Sequence, residues 1–161
     1  MTDSSGGLRD FDFLHGRWAV RHRRLAERGR GCGDWIEFHG LAETRPLLDG
    51  LCNIEEHRID GADFSGAALR AFAPARRQWS IYWVSGRAGV LEPPVVGGFS
   101  GAVGWFEGAD VDGGRLVRVR FKWDRGDPDS PRWEQSLSYD DGLSWELNST
   151  MDFRRAELAS R

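Results

Sequence analysis

The sequence predicts an all-β protein, a single antiparallel up-and-down barrel of about nine strands. The first indication is the segment from Trp133 to Phe153, where large apolar residues alternate with polar ones on both sides of an Asp141-Gly142 turn. The second is the spacing of the whole chain, because turn signals recur about every 8–12 residues. Consecutive hairpins without long crossovers favour a sheet that closes on itself, since closure removes exposed edge strands.

The predicted elements follow from alternation and from the turn residues between them. A short turn or helix at residues 10–14 plugs one end of the core, and the first strand opens at Gly16-Arg17-Trp18. The segment of residues 85–98 is rich in Gly and Pro, so we expect a loop able to cover a barrel mouth. The remaining strands end at Gly, Pro or Asp clusters and are predicted at residues 35–43, 51–59, 64–72, 79–84, 99–107, 116–123 and in the two arms of the last hairpin.

A chain of 161 residues is most simply one domain. We expect residues 10–155 to form the barrel, residues 1–9 to be a disordered polar tail, and residues 156–161 to be a C-terminal tail. At this size folding buries about 70% of the unfolded surface, so neither a metal nor a disulfide is needed for stability.

The composition of the chain disfavours several kinds of binding partner. The net charge is only -3 and both signs are mixed along the chain, which disfavours a nucleic-acid-binding protein. The sequence has no apolar run of about 18 residues and no signal-peptide pattern at its start, so we expect a cytoplasmic protein without a membrane partner. The two Cys and four His form no cluster with zinc spacing, and no metal is predicted.

Eight Trp residues are the most informative side chains for function. They lie at alternate strand positions, so they either fill the barrel or line a pocket for a flat or apolar ligand. Both interpretations stay open at this point. The residues predicted to bind a ligand are Trp79, Trp83, Trp123, Trp133, Gln135 and Trp145.

Ionisable residues inside predicted strands suggest catalysis as an alternative to ligand binding. His22 alternates with Trp18, so it points inward and could act as a general base. In the run from Glu55 to Arg58, alternation sends Glu56 and Arg58 to one side of the strand and the other two residues to the opposite side. Either pair could face the lumen, or form an ordinary ion pair at the rim. The candidate catalytic residues are His22, Glu56 and Arg58.

Several segments resemble a known family. Gly16-Arg17-Trp18 resembles the G-x-W signature of lipocalins and other calycins, and the longer pattern resembles bacterial lipocalin-like proteins of unknown function. The segments that carry this likeness are DFDFLHGRW, FSGAALRAFAPARRQWSIYW and WEQSLSYDDGLSWELNSTMDF. The resemblance implies a calycin-like barrel closed near Trp18, with an Arg from the end of the last strand over its ring. Arg154, or its neighbour Arg155, is the matching residue.

The resemblance also bears on cofactors. No cofactor is expected, but the related nitrobindins hold haem through one suitably buried His, so haem stays open. The chain lacks the disulfides of secreted lipocalins, so the resemblance does not extend to secreted transport.

Three functions remain in view. The first is binding of one small, largely apolar or aromatic molecule in the barrel. The second is an isomerase, lyase or hydrolase that uses lumen His, Glu and Arg side chains as acid–base groups. The third is a filled barrel that serves as an interaction module and forms a homodimer. The presence and polarity of a lumen discriminate among the three.

Overall fold

The computed structural model describes residues 7–59 and 65–156. Within these residues ten strands form one closed antiparallel barrel in up-and-down order. Pairing of the first strand with the last closes the sheet. The strands are β1 (Gly16–Leu25), β2 (Trp35–Leu47), β3 (Cys52–Ile59), β4 (Gly66–Ala73), β5 (Gln78–Ser85), β6 (Val95–Ser100), β7 (Val103–Asp112), β8 (Arg115–Asp124), β9 (Arg132–Ser138) and β10 (Glu146–Arg155).

The predicted fold class is confirmed, with one strand more than the approximate count. The extra strand arises where one strand was predicted over residues 99–107. In the structure β6 and β7 meet there in a tight turn, and Ser100 pairs with Val103. Gly101 has a φ of +64°, the left-handed conformation that a two-residue hairpin turn requires at its first central position. Gly101 therefore reverses the chain within the segment predicted as one strand.

The register between strands decides which side chains enter the barrel. Trp18 on β1 lies opposite Ala42 on β2, and Ala42 lies opposite His57 on β3. All three are buried. Because partners across a sheet share a face, this row fixes the inward positions of three consecutive strands.

The closed end of the barrel is sealed by the residues before β1. A 3-10 helix at Asp12–Leu14 crosses this end, and Phe11 and Leu14 are buried in the core. Phe11 stands edge-on to Trp79, with ring centroids 5.0 Å apart. The predicted plug at residues 10–14 is therefore present, and it excludes water from this half of the barrel.

Trp18 closes this end together with an arginine, but Arg154 is not that arginine. Trp18 Nε1 donates to the carbonyl of Leu14 at 2.8 Å, and the Arg155 guanidinium lies 3.9 Å from the centre of the Trp18 ring. Arg155 is the direct partner of Trp18 in the sheet, whereas Arg154 pairs with Ala19 on the outer face. The prediction of Arg154 is wrong by one residue, because the pleat turns every second side chain outward.

The last hairpin contains a bulge that its regular alternation did not predict. The register shifts between Leu147 and Ser149, so Asn148 is an extra residue in β10. Ser149 and Met151 face the barrel interior. Simple alternation would place Leu147 on the same face as Ser149, but Leu147 pairs with the outward Ser136 and lies on the opposite face.

Residues 1–6, 60–64 and 157–161 lie outside the described chain. Most of the two predicted tails falls there, as does the predicted start of the fourth strand at Phe64. In the described chain Trp79 Nε1 donates to the carbonyl of Gly7 at 3.1 Å, so Gly7 is held against the core.

Replacing Arg155 tests the closed end. Besides covering Trp18, its guanidinium donates to the carbonyl of His15 at 2.6 Å and to that of Phe13 at 2.9 Å. We expect Arg155→Ala to lower the free energy of unfolding by about 1–3 kcal/mol, because it removes two charged hydrogen bonds and a cation–π contact. Urea denaturation measures this loss.

Arg154→Ala is the matched control, since Arg154 is exposed on the outer face. Its stability change should stay within about 0.5 kcal/mol. Equal losses in the two variants would contradict the assignment of Arg155.

Candidate functional site

A cavity of about 500 Å³ lies inside the half of the barrel opposite Trp18. Its volume falls within the range of about 300–1,000 Å³ that is usual for small-molecule sites. It has an aromatic wall, a polar floor toward the closed end and a charged mouth. The principal lining residues are His22, Arg24, Arg28, Glu55, His57, Arg70, Trp83, Glu92, Phe121, Trp123, Trp133, Gln135, Asn148 and Met151.

The aromatic wall consists of Trp83, Phe121, Trp123 and Trp133, with Met151 beside them. Phe121 and Trp133 meet edge-to-face, with centroids 5.0 Å apart and planes at 76°. Gly66 makes room for Trp83, because a Cβ atom at position 66 would overlap the indole ring. Rigid rings at several orientations offer contact area for a flat apolar molecule.

The polar floor is a buried hydrogen-bond network around Glu55. Its carboxylate accepts from Thr44 Oγ1 at 2.9 Å, pairs with His57 Nε2 at 2.6 Å and accepts from Arg70 Nη2 at 3.1 Å. Arg70 Nη1 also donates to Asn53 Oδ1 at 2.9 Å. Glu55, His57 and Arg70 are each 1% exposed. A buried carboxylate and a buried guanidinium are tolerated together because each compensates the charge of the other.

The charge of Glu55 places a proton on His57 Nε2. Burial alone would raise the pKa of Glu55, but the Arg70 and His57 charges and the hydrogen bonds from His57 and Thr44 outweigh it and hold this pKa well below its ordinary value. An ionised carboxylate only accepts hydrogen bonds, so the proton between the two side chains is on His57 Nε2.

His22 stands next to this network as an uncharged ring. Burial, followed by repulsion from His57 and Arg24, lowers its pKa from 6.5 to about 3. Its ring stacks on Phe38 at a centroid distance of 4.8 Å and meets His57 edge-on at 5.8 Å. His22 is therefore a neutral hydrogen-bonding group at physiological pH.

Five residues on the cavity wall hold buried polar atoms without a partner in the described part of the chain. They are His22 Nε2, His57 Nδ1, Arg70 Nε, Trp123 Nε1 and Asn148 Nδ2. Buried polar groups in folded proteins are almost always hydrogen-bonded, and exceptions collect at sites that receive water or a ligand. The cavity wall thus has unused hydrogen-bonding capacity.

Charged side chains surround the mouth. Arg28 Nη2 donates to Asp112 Oδ1 at 2.9 Å, and Arg24 lies over the Phe38 ring at 5.4 Å. Burial and the nearby Asp110 raise the pKa of Glu92. Glu92 is in the predicted covering loop, which is shorter than expected because β6 begins at Val95. Its backbone N–H donates to the carbonyl of Trp83 at 2.8 Å, so the loop is joined to the barrel wall.

Four of the six residues predicted to bind a ligand line the cavity: Trp83, Trp123, Trp133 and Gln135. Trp79 faces inward but lies deeper, under the plug at the closed end. Trp145 is outside the cavity, because the bulge at Asn148 changes the phase of the strand before it. The guanidinium of Arg120 lies 4.1 Å from the Trp145 ring on the outer surface. The predictions for Trp79 and Trp145 are corrected accordingly.

Of the three catalytic candidates, only His22 faces the cavity. Glu56 and Arg58 are exposed and pair with each other on the outer surface at 3.1 Å. The register with Ala42 and Thr44 on β2 turns Glu55 and His57 inward instead. The inward pair is therefore the other of the two that alternation allowed.

Sequence reasoning missed Arg70 and Asn148. The signal for Arg70 was available, since it is a lone charge among small apolar residues in β4 and alternates with the buried Ala68. Asn148 enters the cavity only because of the bulge, and residue alternation contains no signal for that. Gln135 Nε2 donates to Asn148 Oδ1 at 2.9 Å, so the predicted inward amide is linked to the unpredicted one.

The sequence matches no protein-family model and no curated protein. Among residues 7–59 and 65–156, no helix is long and apolar enough to cross a bilayer. Over the same residues, no group of three or more His, Cys, Asp and Glu side chains has the arrangement of a metal site. The case for function therefore depends on the cavity itself.

His22 should make the protein less stable in mild acid. Its folded-state pKa of about 3 is below its ordinary value of 6.5, so between these values the unfolded chain binds the proton and the folded chain does not. The stabilisation is complete above pH 6.5 and is lost as the pH falls. From about pH 7.5 to about pH 5 we expect a loss of about 2 kcal/mol, measured by urea denaturation across pH.

In His22→Asn this loss should largely disappear, because the titrating group is gone. His39→Asn is the control, since His39 is exposed on β2. This variant should keep the acid-dependent loss. A wild-type stability that stays constant over this interval would refute the burial of a neutral His22.

Proposed function

We propose that this protein binds one small, flat, largely apolar molecule inside the barrel. The observation that carries the proposal is the cavity of about 500 Å³, with four aromatic rings on its wall and polar groups confined to its floor and mouth. Such a combination favours an apolar body held by contact area and a few polar groups that fix orientation.

We also propose kinship with the bacterial lipocalin-like proteins, within the calycin superfamily. The supporting feature is the contact of Arg155 with Trp18, which corresponds to the closure that the resemblance implies. A cytoplasmic location and a possible homodimer remain predictions. The filled-barrel module loses its premise, because the barrel contains a cavity.

A second function, acid–base catalysis, is favoured by one specific observation. Glu55 holds His57 by a 2.6 Å hydrogen bond through Nε2, and Nδ1 of the same ring has no partner among the described residues. A carboxylate that orients an imidazole is the arrangement of a general base. In this second function His57 would be the base and Glu55 the positioning residue, in place of Glu56 and Arg58.

Native mass spectrometry of the protein purified from its own host tests for a retained molecule. Tryptophan fluorescence titration with naphthalene and with haemin then tests for binding, since three indoles line the cavity. Haemin is included because His22 and His57 both lie on the cavity wall. If no molecule is retained and neither compound changes the emission, the binding function is refuted.

Trp133→Leu should weaken naphthalene binding about tenfold, because it removes an aromatic face from the cavity wall. Trp105→Leu is the matched control. Trp105 lies on the outer face, 47% exposed and flanked by Arg120 and Lys122. Its replacement should leave the dissociation constant unchanged. Equal weakening in both variants, at equal thermal stability, would place the binding site outside the barrel.

A further inference from the structure

We propose that the loop between β1 and β2, residues 26–34, is a cover on the cavity mouth, and that Asp112 on the opposite rim holds it closed. Opening of this β1–β2 loop then limits the rate at which a molecule enters and leaves the barrel. The inference rests on the proposed binding function and adds how exchange of the bound molecule is controlled.

The β1–β2 loop lies over the cavity. Ala26 and Arg28 are part of the cavity lining, although both follow the end of β1. At the base of the loop the backbone N–H of Ala26 donates to the carbonyl of Asp34 at 2.9 Å. The loop therefore leaves the barrel wall on a narrow base and closes part of the mouth.

Two hydrogen bonds fasten the loop to other strands of the rim. Arg28 Nη2 donates to Asp112 Oδ1 at 2.9 Å, and the backbone N–H of Gly29 donates to Glu146 Oε1 at 2.8 Å. Asp112 is the last residue of β7, and β10, β9 and β8 lie between β1 and β7 in the closed sheet. The contact of Arg28 with Asp112 therefore crosses the mouth and does not run along one edge of it.

Asp112 is held in position by Tyr139. The Tyr139 hydroxyl donates to Asp112 Oδ2 at 2.6 Å, so the carboxylate joins the loop and the rim through its two oxygens. Burial and the hydrogen bond to Asp112 raise the pKa of Tyr139 to about 12, so this hydroxyl keeps its proton at physiological pH. Gly29 packs against the same ring, because a Cβ atom at position 29 would lie 2.8 Å from Tyr139 Cζ.

The fastening is weak enough to open. The Arg28 side chain is 50% exposed and that of Asp112 is 22% exposed, and ion pairs near solvent contribute little net stability. Beyond Gly29 the loop is loosely packed, since no described atom lies within 4 Å of a Cβ atom built at Gly31 or Gly33. The loop can therefore lift from the rim while the strands of the barrel stay paired.

The second loop at the mouth is attached differently. It precedes β6, and the backbone N–H of Glu92 donates to the carbonyl of Trp83 within the barrel wall at 2.8 Å. The bridge between Val84 and Leu91 adds a further backbone attachment. Opening this loop would break pairing in the wall, whereas opening the β1–β2 loop breaks contacts to the side chains of Asp112 and Glu146.

The position of the latch predicts an effect on rates and not on affinity. Asp112, Tyr139 and Glu146 lie outside the cavity lining. A contact that is the same with and without a bound molecule does not change the dissociation constant. If entry and exit both need the open loop, the association and dissociation rate constants rise together with the open fraction.

Stopped-flow fluorescence of the full chain with N-phenyl-1-naphthylamine tests the latch, since the emission of this neutral probe rises in an apolar cavity. We expect Asp112→Ala to raise both rate constants about fivefold, because the loop loses its charged hydrogen bond to the far rim. The dissociation constant should change by less than about twofold. Glu146→Ala, which frees the N–H of Gly29, should act in the same direction.

Glu107→Ala is the matched control. Glu107 also accepts from an arginine at 2.9 Å, but its partner is Arg118 on the outer wall of the barrel. This variant should keep the wild-type rates. Raising the salt concentration from about 0.05 M to about 0.5 M screens the pair of Arg28 and Asp112, so it should accelerate exchange in the wild type and have little effect in Asp112→Ala.

Hydrogen exchange of the amides in residues 26–34, followed by mass spectrometry without any ligand, gives a readout that does not depend on binding. It should be about fivefold faster in Asp112→Ala than in the wild type. Wild-type hydrogen exchange in this variant would overturn the latch.

The outcomes separate this inference from the proposed function. Probe binding with wild-type rates in Asp112→Ala would leave the binding function in place and overturn the cover. Equal acceleration in Glu107→Ala and Asp112→Ala would overturn the assignment to the mouth. Absence of probe binding by the wild type would refute both the inference and the proposed function.

Discussion

The inward orientation of Trp18 on β1 is the constraint on which the rest of the structure depends. Trp18 is buried under Arg155, its partner on β10, and this contact joins the first strand to the last. Because the register then passes through Ala42 to His57, the closing contact also sets the phase of β3. A shift of one residue would expose the Trp18 ring and place Glu56 in the core. The same register between strands therefore determines both how the barrel closes and which side chains line the cavity.

The fold was largely predictable from sequence because alternation and turn chemistry are local properties. The site was only partly predictable because the phase of a strand is not local. In the run from Glu55 to Arg58 both faces carry one acidic and one basic or titratable residue, so composition could not choose between them. The pairing of Thr44 with Glu55 makes the choice, and it depends on contacts between strands. The same limit explains why the sequence could not choose between Arg154 and Arg155, which are neighbours whose side chains point to opposite faces of the sheet.

The bulge in β10 shows a second limit. One extra residue, Asn148, turns Trp145 outward and places an amide in the cavity. Alternation over residues 145–153 looked regular because Trp145 and Leu147 are apolar, yet Trp145 is covered by Arg118 and Arg120 on the outer surface. An apolar residue under a guanidinium and one inside a core give the same pattern in sequence.

The polar floor is better explained by a ligand than by the needs of folding. Buried ion pairs contribute little net stability, and apolar residues of similar volume often serve as well or better. Each buried polar atom without a partner costs about 1–3 kcal/mol. A barrel selected for stability alone would fill this space with apolar side chains, as it does around Phe11 and Trp79 at the closed end. A molecule that supplies the missing partners binds the folded state only, so it stabilises the fold in proportion to its occupancy. The half of the barrel that is least well satisfied by its own residues is thus the half in which we propose that another molecule binds.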